Sequence, residues 1–121
     1  MKVVINVGHG AFDLSDVAFE KLLERKGIEF EKEPDDFISG FNHYYRKGSV
    51  GVDEAYLSCY EFTHDQKRGD PDLIAVIQEL GEDADGYFGQ LRIIDIPDDI
   101  EWEIHEFDGR EWVAEKHRTW S

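Results

Sequence analysis

The sequence predicts one α+β domain, with two helices packed on a mainly antiparallel sheet and a β-hairpin at the C-terminal end. Three observations lead to this class. Two segments place apolar residues at helical spacing between helix caps, several short segments are rich in β-branched and aromatic residues, and Asp108-Gly109 is a strong hairpin turn. Strands joined by so short a turn must run antiparallel. The length of 121 residues suits a single domain.

The first strand and the first helix are predicted near the start of the chain. Residues 3–5 form a β-branched run that is typical of a buried strand, and the turn at residues 8–10 ends it. Ser15 is a favourable N-cap for the next helix, and Gly27 suits the position after its last turn. The apolar face of this helix consists of Ala18, Phe19, Leu22 and Leu23.

Residues 28–52 are interpreted as an irregular insert rich in aromatic residues. Apolar spacing within Phe37–Tyr45 favours a short helix that begins near Pro34. Alternation within Tyr56–Phe62 instead favours a strand, in which Cys59 would be a buried small hydrophobe rather than a nucleophile.

The second helix is predicted from its caps. Asp70 is its N-cap, Pro71 takes the first helical position, and Gly81 ends it. Its buried stripe consists of Leu73, Val76, Ile77 and Leu80.

The last third of the chain is predicted to form antiparallel strands. A two-residue turn would pair Ile104 with Val113, whereas a three-residue turn would place Trp112 and Ala114 on the Ile104 face. Both registers remain open from the sequence. The expected strands are Gln90–Ile96, Ile100–Phe107 and Glu111–Trp120.

Composition excludes several functional classes. The chain has 28 acidic residues against 13 Lys plus Arg, a formal net charge of -15, so direct nucleic-acid binding through a basic patch is not expected. No apolar run approaches the ~20 residues of a membrane span, and the first residues lack the plan of a signal peptide, which favours a cytoplasmic location. With one cysteine, no HExxH motif and no EF-hand pattern, neither a metal nor a cofactor is expected.

Two stretches of the chain carry a family resemblance. They are VVINVGHGAFDLSDVAFEKL near the start and EWEIHEFDGREWVAEKHRTW near the end. The chain resembles an uncharacterised group of small acidic proteins encoded by tailed phages and prophages, over about Lys2–Gly27 and Asp70–Trp120. The resemblance implies a phage-type protein that acts in the host cell, and it implies no particular chemistry.

Two groups of residues are candidate ligand sites in the first half of the chain. His9 lies in a glycine-rich turn before a helix, where free N–H groups can hold an anion, although the same pattern also fits an ordinary turn. An aromatic and basic patch could stack on a base or ring, or it could be a hydrophobic cluster under a loop. The patch consists of His43, Tyr44, Tyr45 and Arg46.

Two further candidates lie near the C-terminus. Glu115 and His117 could act as a general acid and base while Arg118 holds an anion, or the three could form a polar rim. Residues 95–111 carry eight acids against one base, which could bind a basic host protein or could keep the surface solvated. The acids predicted to bind a partner are Asp98, Asp99, Glu101 and Glu103.

Three classes of function follow. The favoured hypothesis is an accessory protein that counters host defence by binding a host protein or a nucleotide-like signal. A virion or assembly component is the second, with an apolar interface of a symmetric homo-oligomer built from Phe37, Phe41, Tyr44 and Tyr45. A small nucleotide-acting enzyme that uses His9 or the Glu115–His117 pair is the third.

Overall fold

The computed structural model describes residues 1–116, which form six strands and three α-helices. In chain order the elements are β1 (Lys2–Asn6), α1 (Asp16–Arg25), β2 (Phe30–Pro34), β3 (Asn42–Arg46), α2 (Cys59–Thr63), α3 (Pro71–Leu80), β4 (Leu91–Asp95), β5 (Trp102–Phe107) and β6 (Arg110–Glu115). The strands pair antiparallel as β1–β4, β2–β3 and β5–β6, so they form three two-stranded sheets. The predicted α+β fold class is confirmed, including the C-terminal hairpin.

Both predicted helices are confirmed as α1 and α3, and their caps form as the sequence indicates. Ser15 Oγ accepts a hydrogen bond from the Ala18 N–H at 3.2 Å, and the Asp70 carboxylate accepts one from the Asp72 N–H at 3.3 Å. The two helices pack on each other and on β1. The buried residues of this core are Val4, Leu14, Ala18, Leu22, Leu73, Ile74, Val76, Ile77 and Ala84.

The helix predicted at Phe37–Tyr45 is wrong, because Asn42–Arg46 forms β3 of a hairpin. Tyr44 is buried on α1, and its chain neighbours lie on the opposite side of the strand, as period-two geometry requires. Asp35 fixes the turn of the hairpin, since its Oδ1 accepts hydrogen bonds from the N–H groups of Phe37 and Ile38, both at 2.8 Å.

The strand predicted at Tyr56–Phe62 is also wrong, because Cys59–Thr63 forms the single-turn helix α2. Thr63 Oγ1 donates to the Cys59 carbonyl at 2.9 Å, one helical turn away. Phe62 packs on the core between α1 and α3 and also on a second cluster, which consists of Phe19, Leu23, Tyr44 and Leu57. Its burial therefore follows from tertiary packing rather than from strand alternation.

The C-terminal hairpin has the register of the two-residue turn, with Ile104 opposite Val113. Asp108 and Gly109 both have positive φ, 52° and 84°, as a type I′ turn requires. A Cβ on Gly109 would lie 1.7 Å from the Gly10 carbonyl oxygen, so only glycine fits where the hairpin meets the N-terminal turn.

Candidate functional site

Three loops meet on one side of the molecule and form a surface that we call the loop face. Gly86 donates its N–H to the Asp13 carbonyl at 3.0 Å, and the rings of Phe41 and Tyr87 stack with centroids 6.3 Å apart and planes 19° apart. A cavity of about 360 Å³ opens between this stack and the start of α1. The loop face comprises residues 10–16, 35–41 and 82–89.

The loop face exposes large apolar side chains. Phe37 is 95% exposed and Tyr87 is 82% exposed, and Ile38, Phe41 and Phe88 are also more than 40% exposed. Side chains of this size rarely stay in water unless they serve a contact, and here they come from two adjacent loops. The loop face is therefore a candidate interaction surface.

The same surface is strongly acidic. Its three loops contain no Lys or Arg, and they carry seven carboxylates: Asp13, Asp16, Asp35, Asp36, Glu82, Asp83 and Asp85. Burial raises the pKa of Asp13, although hydrogen bonds from the backbone N–H groups of Phe88 and Tyr87 oppose the shift. Asp13 lies so close to Gly86 that a Cβ there would lie 2.1 Å from its Oδ2. These contacts hold residues 10–16 and 82–89 against each other.

The predicted aromatic and basic patch is divided between the two faces of β3. Tyr44 is buried, and its hydroxyl donates to Glu20 Oε2 at 2.9 Å. Burial raises the pKa of that hydroxyl above its ordinary value. His43 and Tyr45 lie on the opposite face, where the Tyr45 and Tyr56 rings meet edge to face with centroids 5.4 Å apart. Tyr44 is therefore part of the core rather than of a ligand patch or an oligomer interface.

His9 is exposed in the turn after β1, and the Gly8 N–H and the Gly8 and Gly10 carbonyls of that turn are bonded to the buried Asn6 side chain. The buried Asn6 side chain accepts hydrogen bonds from the N–H groups of Gln90 (2.7 Å) and Gly8 (3.4 Å). Its Nδ2 donates to the carbonyls of Gly8, Gly10 and Gly109. The sequence analysis did not identify Asn6, although a polar side chain inside an apolar strand indicates a buried residue that bonds to the neighbouring backbone.

The C-terminal hairpin is attached to the core by a buried ion pair. Arg68 and Glu111 are 4% and 8% exposed, and the guanidinium donates to both carboxylate oxygens at 2.6 and 3.0 Å. Glu111 Oε1 also accepts the Asn6 N–H at 2.8 Å, and the Arg68 guanidinium lies 3.8 Å from the centre of the Phe12 ring. Under the two-residue turn Glu111 shares a face with Val113, so its burial could have been inferred.

The acidic segment 95–111 is less uniform than its composition indicates. Asp98 pairs with the N-terminal ammonium, and the Lys2 ammonium, 2.9 Å from Asp95, lowers the pKa of that carboxyl. Glu103 Oε1 lies 2.8 Å from His105 Nε2. Glu111 is internal. The four acids predicted to bind a partner, Asp98, Asp99, Glu101 and Glu103, are all exposed. Two of them, Asp98 and Glu103, already pair with groups of this chain.

Only Glu115 of the predicted acid–base group near the C-terminus lies within the described residues. Glu115 is exposed at the end of β6, opposite Trp102, whereas His117 and Arg118 lie outside the described residues. Cys59 is half-buried, and burial raises the pKa of its thiol to about 11, which disfavours the thiolate that a nucleophile needs. Within residues 1–116, no three His, Cys, Asp or Glu side chains are grouped so that they could hold a metal ion.

Comparison with known proteins gives no relative: no family model, curated protein or solved structure matches this chain. None of the helices in the described part of the chain is long and apolar enough to cross a membrane.

Proposed function

We propose that the protein acts by binding, and that its loop face docks on a basic surface of another protein. The observation that carries this proposal is the pairing of exposed aromatic side chains with seven carboxylates in three adjoining loops that lack Lys and Arg. Buried aromatic anchors supply most of the binding energy at protein interfaces, and complementary charge supplies specificity and fast association.

Charge also favours a different protein over a second copy of this chain. Each copy carries a formal net charge of -15, so two loop faces brought together would repel each other. A surface rich in Lys and Arg would instead be attracted, and binding would weaken as salt screens the charges.

The resemblance to small acidic phage proteins supports a place of action in the cytoplasm of a host cell. The partner would then be a host protein with an exposed basic surface, such as one that handles nucleic acid. Covering that surface is one means by which a phage protein could counter host defence.

The proposal is tested by affinity capture from host lysate at about 0.05 and 0.5 M salt, ionic strengths between which screening changes strongly. The captured protein is then purified, and its dissociation constant is measured with three forms of this chain: wild type, Phe37→Ala combined with Tyr87→Ala, and the matched control Tyr60→Ala. Tyr60 lies on α2, outside the three loops of the loop face, and is 74% exposed.

We expect a basic partner whose affinity falls at least about tenfold in the loop-face variant and with rising salt, but not in the control. The proposal fails if no partner is retained at low salt, or if the loop-face variant binds like wild type. A discrete homo-oligomer broken by the same two substitutions would assign the surface to self-assembly instead.

A further inference from the structure

A second concave region lies between β1 and the C-terminal hairpin. It is a cleft of about 600 Å³, within the range of sites for small molecules. It shares no residue with the loop face. The side chains that define it are Ile5, Val7, His9, Phe107, Arg110 and Trp112.

The cleft exists because β6 lies beside β1 without forming a ladder with it. The free N–H of Asn6 bonds to the Glu111 carboxylate, at 2.8 Å, instead of to a backbone carbonyl of β6. A side chain therefore spaces the two strands apart. The apolar side chains Ile5 and Val7 of the β1 segment then form one wall of the space.

Aromatic rings form the opposite wall. Phe107 lies opposite Arg110 and Trp112 lies opposite His105 in the hairpin register, so all four side chains share one face. The Trp112 and His105 ring centroids are 5.9 Å apart. Phe107 is 77% exposed and Trp112 is 45% exposed, so each retains surface on which a planar ligand could stack.

The polar groups of the cleft favour a negative charge. Within residues 1–116, the side chains of Arg110 and His9 form no hydrogen bond or ion pair, so their donors are available. The Glu111 carboxylate in the wall is already satisfied by Arg68 and Asn6. Asp108 on the rim opposes a second negative charge on the ligand.

We infer that this cleft binds a planar aromatic molecule with one anionic group. The ring lies against Trp112 and Phe107, and the anionic group accepts hydrogen bonds from Arg110 and His9. The inference is independent of the loop face and of any protein partner.

The test uses a pair of probes that differ in charge, 2-naphthoate and 2-naphthamide, titrated into the full chain by calorimetry. We expect naphthoate to bind about tenfold more tightly than the amide, since only naphthoate forms charge-assisted hydrogen bonds. Arg110→Ala should abolish that difference. The matched control is Lys47→Ala, which also removes one exposed positive charge, because Lys47 follows β3 in the other hairpin, outside the cleft, and has no ion pair among residues 1–116.

Trp112→Ala should weaken both probes about tenfold, because stacking does not depend on the charge of the ligand. Equal affinity of the two probes, an unchanged preference in Arg110→Ala, or no saturable binding below about 1 mM would overturn the inference. Adenosine 3′,5′-cyclic monophosphate, which like naphthoate carries a single negative charge, is titrated in parallel and distinguishes the source of the ligand. Tighter binding than naphthoate indicates a nucleotide, and weaker binding indicates an aromatic acid.

Discussion

The two β-hairpins of this molecule have similar lengths, but different interactions attach them to the core. The β2–β3 hairpin is held mainly by aromatic packing, because the buried Tyr44 ring meets Phe19 of α1 edge to face with ring centroids 5.1 Å apart. The β5–β6 hairpin is held by a carboxylate, Glu111, which enters the interior to meet Arg68 and a backbone N–H.

The difference determines what each hairpin tolerates. Apolar packing is non-directional, so β2–β3 needs shape and volume more than any particular hydrogen bond. A buried ion pair fixes geometry, but desolvation makes it costly whenever one partner is missing. The attachment that positions the cleft wall is therefore the more specific and the more fragile of the two.

The largest loss of stability is expected for Glu111→Gln, which keeps the shape of the side chain and removes its charge. Arg68 would then be a buried cation whose remaining ion pair among residues 1–116 is the long contact to the exposed Asp65, at 3.9 Å, and we expect the free energy of unfolding to fall by about 3–5 kcal/mol. Urea unfolding followed by circular dichroism measures the loss. Glu106→Gln is the matched control, because Glu106 lies opposite Glu111 in the hairpin but is exposed, and its change should stay within about 0.5 kcal/mol.

A double variant separates the unpaired charge from other causes. Arg68→Met together with Glu111→Gln removes the cation and leaves a carbonyl to accept the Asn6 N–H. It should be more stable than Glu111→Gln alone, although it carries one more substitution. If it is less stable, the hydrogen bonds that the guanidinium donates to the Thr63 and Val4 carbonyls outweigh the cost of the unpaired charge.

The corresponding polar deletion in the other hairpin, Tyr44→Phe, sharpens the comparison. It removes the hydrogen bond to Glu20 and keeps the ring between Phe19 and Phe30, so we expect a loss of about 1 kcal/mol in the same unfolding measurement. Glu20 keeps Lys32 as a partner at 3.3 Å.

Tyr44→Ala, which deletes the ring, should cost several times more than Tyr44→Phe. Equal losses in the two variants would show that β2–β3 is also held mainly by a polar contact, and the contrast between the hairpins would fail.

Sequence reasoning succeeded where the signal is local. The caps Ser15 and Asp70 each define a helix start within a few residues, and the Asp108-Gly109 turn needs only two residues with positive φ. Such features depend on neighbouring residues in the chain, so they can be recognised without knowledge of the rest of the fold.

Sequence reasoning failed where contacts between distant segments determine the structure. Spacing in Phe37–Tyr45 fits a helix, but Asn42–Arg46 is a strand because Phe30–Pro34 pairs with it, and that partner segment is mostly charged and shows no strand pattern. The ion pair joins residues 43 positions apart, and the loop face joins three distant loops. The acidic character of the molecule was predictable, but not which carboxylates are internal, locally paired or gathered beside aromatic rings.

The smallest expected effect concerns the turn of β2–β3, where Asp35 forms a half-buried contact with His43. His43 Nε2 lies 2.7 Å from Asp35 Oδ2. This hydrogen bond, with those from the Phe37 and Ile38 N–H groups, lowers the pKa of Asp35 from 3.8 to about 2. Because the folded pKa lies below the unfolded value, the contribution is present above about pH 4 and is lost as pH falls towards 2.

His43→Ala removes the first of these causes, so the Asp35 carboxyl should titrate at a higher pH in that variant, still below 3.8 because the two N–H donors remain. NMR titration of the side-chain carboxyl carbon measures the shift. Asp95 is the control, since its lowered pKa depends on Lys2 and should not move. An unchanged Asp35 midpoint would mean that the N–H groups of Phe37 and Ile38 alone fix the turn that presents Phe37, and that His43 adds nothing to it.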